Sequence, residues 1–410
     1  MAGLPDGNST LSPVPEHVPA HLVHDFDYIY DERLVREPHE RMRSLIAEAP
    51  PLFYSPRYGG HWVVLRKKAL ADITRDTAAF SSRSLGIPPA SKVMDLIPLT
   101  YDPPQHTEYR LPLSKLFSPK GVQPQEIAIR KMAIELIDAV AARGNCDFLT
   151  EVAEPLPPTL FFRMAGMPTN RLQEFRALSE TATAATLAKD RQAAIARIGE
   201  ILAETVKARI AEPLDDIISH LVTADFGGRK LRMEEILNYS VLLFLGGLET
   251  VVNALAFCAR HMAQDQALQD QLRTDPSRIP VVAEELLRMH SIAMTVRTVT
   301  RDVEYEGIKL RQGDQMLLLI PAINFDPDAF ANPNDLCPGR REAHVAFNMG
   351  PHRCIGANLA RLELRVFFEE WLRRIPAFHL DPQRPPKFLG GLNLAVRTLP
   401  LVWQPQRTAG

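Results

Sequence analysis

Phe347-Asn348-Met349-Gly350-Pro351-His352-Arg353-Cys354-Ile355-Gly356 is the stretch whose reading decides the rest of the chain. A thiolate that serves as a ligand needs its sulfur protected and tuned. Backbone N–H groups in a tight, glycine-containing turn donate to it, and nearby positive charge favours its deprotonated form. Gly350 and Gly356 permit close backbone approach to a flat cofactor. A helix expected to begin near Cys354 would aim its N-terminus at the sulfur and lower the thiol pKa. Two plainer readings stand beside this one: a buried cysteine preceding a helix, and a metal held by His344, His352 and Cys354.

Three further strings lie upstream. In Glu285-Leu286-Leu287-Arg288 the acid and the base are three apart, on one helical face; alone, this reads as a surface ion pair. Gly246-Gly247-Leu248-Glu249-Thr250 sits inside the longest apolar run. Two glycines weaken a helix by about 1 kcal/mol each relative to alanine, and a carboxylate and a hydroxyl in such a run are expensive unless used. The pattern suggests a local opening for a small ligand, or a kink at a helix crossing. Asp102-Pro103-Pro104-Gln105-His106-Thr107-Glu108-Tyr109-Arg110 puts His106 and Arg110 one helical turn apart.

The periodicity predicts helices over 34–49, 67–76, 127–142, 191–211, 233–262, 281–289 and 357–375. It predicts short strands near 61–65, 303–310, 316–320 and 387–403, and a long loop over 81–104. The fold class is mainly α with small β-sheets (α+β). Of 410 residues, 46% are apolar and 23% charged, with a net charge of −2. That composition supplies a sizeable core and no global basic field for nucleic acid. The four cysteines (Cys146, Cys258, Cys337, Cys354) show no paired spacing and read as reduced, in a cytoplasmic protein. Residues 1–20, rich in proline, read as a flexible arm before a single domain over 21–410. The apolar run 241–259 contains Glu249 and Asn253, costly in lipid, and reads as a buried core helix rather than a membrane span.

With these residues in view, the chain resembles the cytochrome P-450 family of haem-thiolate monooxygenases, in its soluble bacterial class and near its camphor-hydroxylase group. The cysteine string matches the family's Phe-x-x-Gly-x-His/Arg-x-Cys-x-Gly at all five positions. The resemblance runs from about Tyr54 to Trp403 and implies the triangular fold of that family, with haem b between a long central helix and the cysteine helix. By that resemblance Cys354 is the axial ligand of the haem iron, with Phe347 and Gly350 in its loop. His106, Arg110, Arg297 and His352 bind the haem propionates. Glu285, Arg288 and Arg340 form a structural network beneath the loop. Thr250 hydrogen-bonds dioxygen over the haem, and Glu249 feeds protons from solvent.

The resemblance also implies a substrate pocket of Met94, Leu96, Leu99, Leu242, Leu245, Ala293, Thr295, Leu392 and Asn393. Met94 stands where the camphor enzyme has a tyrosine donor, and methionine cannot supply that hydrogen bond. The expected substrate is therefore apolar, of about ten to fifteen carbons, cineole- or ionone-like rather than camphor. Electrons would come from NAD(P)H through a two-iron ferredoxin and its reductase, docking on Arg353, Arg361 and Arg365 unless these merely face solvent. A monomer is expected. A peroxygenase or isomerase, a haem gas sensor, and a protein without haem remain as alternatives.

Overall fold

The computed structural model describes residues 11–89, 95–184 and 188–405. Helices dominate, and their packing follows the apolar stripes. The most apolar segment forms two helices, Met233–Leu248 and Thr250–Gln264, rather than the one expected over 233–262. Glu249, at φ −117°, separates them. Asn253 holds the break: its Nδ2 donates to the Glu249 carbonyl at 3.0 Å, and its Oδ1 accepts the Val396 N–H at 2.9 Å. The first of the two packs on Leu156–Ala165 and Ala188–Ala211; the second packs on Ile279–Met289 and Ala357–Arg374. Among the described residues Met233–Gln264 is the one helical stretch long and apolar enough to cross a membrane, and most of it is buried in the core.

The two glycines at 246 and 247 have different reasons to be there. A Cβ on Gly247 would lie 2.2 Å from the Phe161 ring, so Gly247 admits the neighbouring helix. A Cβ on Gly246 would meet nothing within 4 Å. Gly246 therefore faces open space, as do Leu245 and Glu249, both exposed on a segment otherwise buried.

A five-stranded sheet lies beside the helices, in the order Leu52–Ser55, His61–Val64, Gln315–Leu318, Thr295–Val299, Phe80–Ser81. All neighbours are antiparallel except His61–Val64 and Gln315–Leu318, which run parallel with Val63 opposite Leu317. A second core of Leu52, Tyr54, Trp62, Leu70, Ile73, Met316 and Leu318 forms on this sheet. Residues 11–20 belong to it: Val18 is buried, Ser12 N donates to the Pro56 carbonyl, and His17 Nε2 lies 3.1 Å from Asp314 Oδ2. Asp314 also accepts from Trp62 Nε1 at 2.9 Å, so one carboxylate ties this segment to the sheet.

The predicted helix over 34–49 is instead Glu32–Arg36 and Pro38–Glu48, because Pro38 cannot continue the first and opens the second. Arg297 lies in the middle of Thr295–Val299, a strand the period did not reveal, ahead of the hairpin Val303–Tyr305 with Ile308–Leu310. The hairpin Val303–Tyr305 with Ile308–Leu310 and the cysteine helix Ala357–Arg374 form as expected.

Candidate functional site

Cys354 ends a loop whose backbone is closed on itself. Its N–H donates to the Phe347 carbonyl at 2.8 Å, and the Gly356 N–H bonds its sulfur. Gly356 caps the helix Ala357–Arg374, which places the sulfur at the helix N-terminus. Surrounding protein raises the Cys354 thiol pKa, while the Gly356 N–H, Arg110, Arg353 and Arg361 pull it down. Solvent still reaches the residue.

Gly350 is needed here, for a reason other than approach to a cofactor. It has φ +71°, and a Cβ on it would come 2.9 Å from the Thr74 carbonyl. The close neighbour is the end of the helix Lys67–Arg75. Phe347 is covered by Arg361, whose guanidinium carbon is 4.6 Å from the ring centroid. Asn348, at φ +58°, donates from Nδ2 to Thr295 Oγ1 at 3.3 Å. The Thr295 hydroxyl therefore holds the cysteine loop to the sheet. His344 takes no part near the sulfur: its Nε2 is 3.0 Å from Glu284 and its Nδ1 accepts the Ala346 N–H. Among the described residues no group of three His, Cys, Asp or Glu side chains is arranged to hold a metal ion.

The residues expected to bind propionates come together. The His106 and His352 rings are 4.0 Å apart and both are buried. Arg110 Nη2 donates to the Arg353 carbonyl at 2.5 Å, and Arg297 is 4% exposed. Among the described residues Arg297 hydrogen-bonds its neighbour's carbonyl alone, from Nη1 to Val296 at 2.7 Å. Among the same residues both nitrogens of His106 and Nε2 of His352 find no hydrogen-bond partner although they are buried. Burial, then Arg110 and Arg297, holds His106 down to about 4, with Asp102 acting against them. Burial, then His106, Arg297 and Arg110, holds His352 down to about 2. Burial lowers Arg297 to about 10. Asp102, whose role the sequence reading left open, accepts Ser81 Oγ at 2.5 Å and the Ser82 N–H at 2.8 Å. It is the acid that favours the charge on Arg297.

Glu285, Arg288 and Arg340 also meet. Arg288 is fully buried and donates to Glu285 Oε1, to the carbonyls of Asn324 and Pro333, and to that of Asp335. Arg340 Nε donates to the same Glu285 oxygen at 3.1 Å, and the Cys337 N–H does so at 3.1 Å. Arg340 also donates to the Ala331 carbonyl.

The expected pocket residues divide. Met94 lies outside the described residues. Ala293 bridges Asn393, and the Met294 N–H donates to the Leu392 carbonyl at 2.7 Å, so that corner exists. Leu242 and Leu99 are half-buried against the main core, whereas Leu96 is buried within it. Leu245 is 43% exposed. The basic docking face loses two of its three charges. Arg361 is bidentate on Glu284 at 2.6 and 2.8 Å, and Arg365 pairs with Glu126 and Glu369. Arg353 remains exposed.

A family model described as Cytochrome P450 matches residues 181–404. The curated relative named probable cytochrome P450 127A1, from Sinorhizobium fredii, is 33% identical over 96% of this chain and 97% of its own. The steroid C26-monooxygenase of Mycobacterium tuberculosis is 31% identical over 84% of this chain and 95% of its own. The solved structure of CYP101J2 superposes with a TM-score of 0.89 at 33% identity, over 96% of this chain and all of that one. That of CYP101C1 gives 0.88 at 32% identity, over 96% and 100%. The chain belongs to the cytochrome P450 family, a family of monooxygenases, and its cofactor is haem b held through a cysteine thiolate. The residues present fit that group. Two buried imidazoles with unpartnered nitrogens, beside the buried Arg297 and the half-buried Arg110, leave donors and positive charge that two propionates would meet.

Proposed function

We propose that this monooxygenase inserts one oxygen atom of O2 into a C–H bond of a small apolar substrate of monoterpenoid or norisoprenoid size. Electrons come from NAD(P)H through a two-iron ferredoxin and its reductase. The observation that carries the substrate class is the open face of Leu245 and Gly246, in a mainly apolar stretch of helix that ends at Glu249 and Thr250. The half-buried Leu242, Ala293 and Leu392 agree with it.

In this reading Cys354 would ligate the iron; burial raises its thiol pKa, against the Gly356 N–H, Arg110, Arg353 and Arg361, which favour the thiolate. Bound haem supplies the redox chemistry on dioxygen. His106, Arg110, Arg297 and His352 fix the propionates and so orient the ring. Phe347, clamped under Arg361, shields the sulfur. Thr250 Oγ1 rests on the Gly246 carbonyl at 3.0 Å, one turn back. That bond commits the hydroxyl proton to the carbonyl and leaves the Oγ1 lone pairs beside the open face, where they would accept a hydrogen bond and so orient a proton-bearing group over the haem. Glu249, at the helix break and reached by solvent, would feed protons from solvent. Arg353, with Lys115 and Lys120 exposed on the segment that Asn358 ties to the cysteine helix, supports docking of an acidic ferredoxin.

The test begins with the spectrum of the dithionite-reduced protein with and without carbon monoxide. The strongly red-shifted Soret band of a thiolate-ligated carbonyl is expected, with its loss in Cys354→Ala. Spin-state titrations with cineole, ionone, a steroid and a macrolide follow. A shift with the steroid alone would move the substrate class to that of the mycobacterial relative. Product formed with peroxide but not with NADH, ferredoxin and reductase would replace the monooxygenase reading by a peroxygenase.

A further inference from the structure

The helix Gln105–Ser114 presents His106 and Arg110 to the cationic cluster, and between them it carries Tyr109. Tyr109 is 7% exposed, and its hydroxyl donates to Glu235 Oε1 at 2.5 Å. Glu235 is itself buried at the start of Met233–Leu248. Arg229 grips both of its oxygens at 2.8 Å and reaches the Tyr109 hydroxyl at 3.4 Å; the Arg232 N–H donates at 2.7 Å. Burial pushes the Glu235 pKa up, but these donors hold it down to about 2, so it stays an anion.

Aromatic rings surround Tyr109. Phe226 lies 4.5 Å away by centroid, Tyr101 5.3 Å and Tyr239 6.2 Å, and the Tyr239 hydroxyl donates to the Tyr109 carbonyl. A phenol is hard to oxidise while it keeps its proton, and its radical cation is a very strong acid. A carboxylate already hydrogen-bonded to the hydroxyl takes that proton without diffusion. Arg229 balances the Glu235 charge before the electron leaves, and the site carries one net positive charge until the electron and proton are restored.

We propose that Tyr109, with Glu235 as its proton acceptor, is a one-electron redox site that returns electrons to the haem centre when an oxidising equivalent is not spent on substrate. This rests on the haem-thiolate reading above. With an organic peroxide as oxidant, one peroxide, two electrons and two solvent protons give one alcohol and one water. Tyr109 supplies one of the electrons: its O–H bond breaks, the radical stays on the ring, and the proton goes to Glu235 Oε1. A solution reductant of the ascorbate class supplies the other. A second electron from that reductant, with the proton returned from Glu235, restores the phenol.

The Tyr58–Asp27 pair provides the control. It has the same 2.5 Å contact, but on a segment that carries none of the propionate-binding residues. The experiment is freeze-quench electron paramagnetic resonance of haem-loaded, substrate-free protein mixed with cumene hydroperoxide. A tyrosyl signal is expected in the wild type and in Tyr58→Phe, with its loss in Tyr109→Phe. In ascorbate, Tyr109→Phe should bleach its Soret band several-fold faster than wild type, while its substrate-induced spin shift stays unchanged. No tyrosyl signal in the wild type, or the same signal in Tyr109→Phe, overturns the proposal. A sample without the thiolate-type carbonyl spectrum removes the haem-thiolate reading and this one together. A normal carbonyl spectrum with no radical removes this one alone.

Discussion

Two charged clusters flank the cysteine loop, and they are built in opposite ways. Around Arg288 the guanidinium meets a carboxylate and three backbone carbonyls, and Arg340 and the Cys337 N–H share the carboxylate. Around Arg297 the guanidinium finds its neighbour's carbonyl, and two adjacent imidazoles leave three nitrogens unpartnered. The first cluster is partnered mostly by its own chain, with Arg288 Nε left without a hydrogen bond among the described residues. The second is finished only by something the chain does not encode. A buried charge with its partners in place stabilises a fold, whereas one without them marks a binding site.

Breaking the better-partnered cluster should have the largest effect. Arg288→Leu leaves Glu285 undercompensated in the core and is expected to cost about 3–5 kcal/mol. Urea denaturation of the haem-free protein measures this; a loss below about 1 kcal/mol would put Arg288 outside the network. Next comes the unsaturated cluster. Arg297→Gln removes a buried, poorly paired cation, so the haem-free protein should lose at most about 1 kcal/mol, the net worth of one hydrogen bond. Haem retention in the same variant, followed by transfer to apomyoglobin, should fall sharply. If stability falls as far as in Arg288→Leu, the contrast between the clusters is wrong.

Two smaller effects sharpen the picture. Thr250→Ala deletes the bond to the Gly246 carbonyl and should destabilise by about 1 kcal/mol. Its main consequence is expected in coupling: NADH consumption continues while product per NADH drops. An unchanged ratio would remove the proton role. The smallest effect concerns Glu284. Burial pushes its pKa up, but His344 and Arg361 hold it down to about 2 from an ordinary 4.5. A folded pKa below the unfolded one gives stability that is full above about 4.5 and fades as pH falls towards 2. Glu284→Gln should therefore flatten the urea midpoint between pH 5 and pH 3; an unaltered acid limb would assign that loss to other carboxylates.

The local strings were the legible part of the sequence. The cysteine loop and the Glu285–Arg288 spacing each lie within one element, so their geometry follows from spacing alone. The strand that carries Arg297 was not legible, because five residues without regular alternation of burial carry little periodic signal. The break at Glu249 was hidden by continuous apolarity; Asn253 makes it by bonding to a strand some 140 residues away, a contact no local window contains. Arg361 and Arg365 looked like a free basic face because their carboxylates, Glu284 and Glu126, come from other helices. Residues 11–20 read as loose from their prolines, yet His17 finds Asp314 across nearly the whole chain.

The five-stranded sheet has a consequence for how the chain is made. Its first two strands end at Val64, and their next neighbour, Gln315–Leu318, pairs in parallel from far downstream. At about 5–20 residues per second, the ribosome takes on the order of tens of seconds to deliver that neighbour. Throughout that time His61–Val64 presents an open edge on an apolar ribbon, the situation in which strands pair with the wrong chain. The N-terminal quarter of the protein is thus born waiting, and the yield of the chain in a cell should respond to translation speed and chaperone supply.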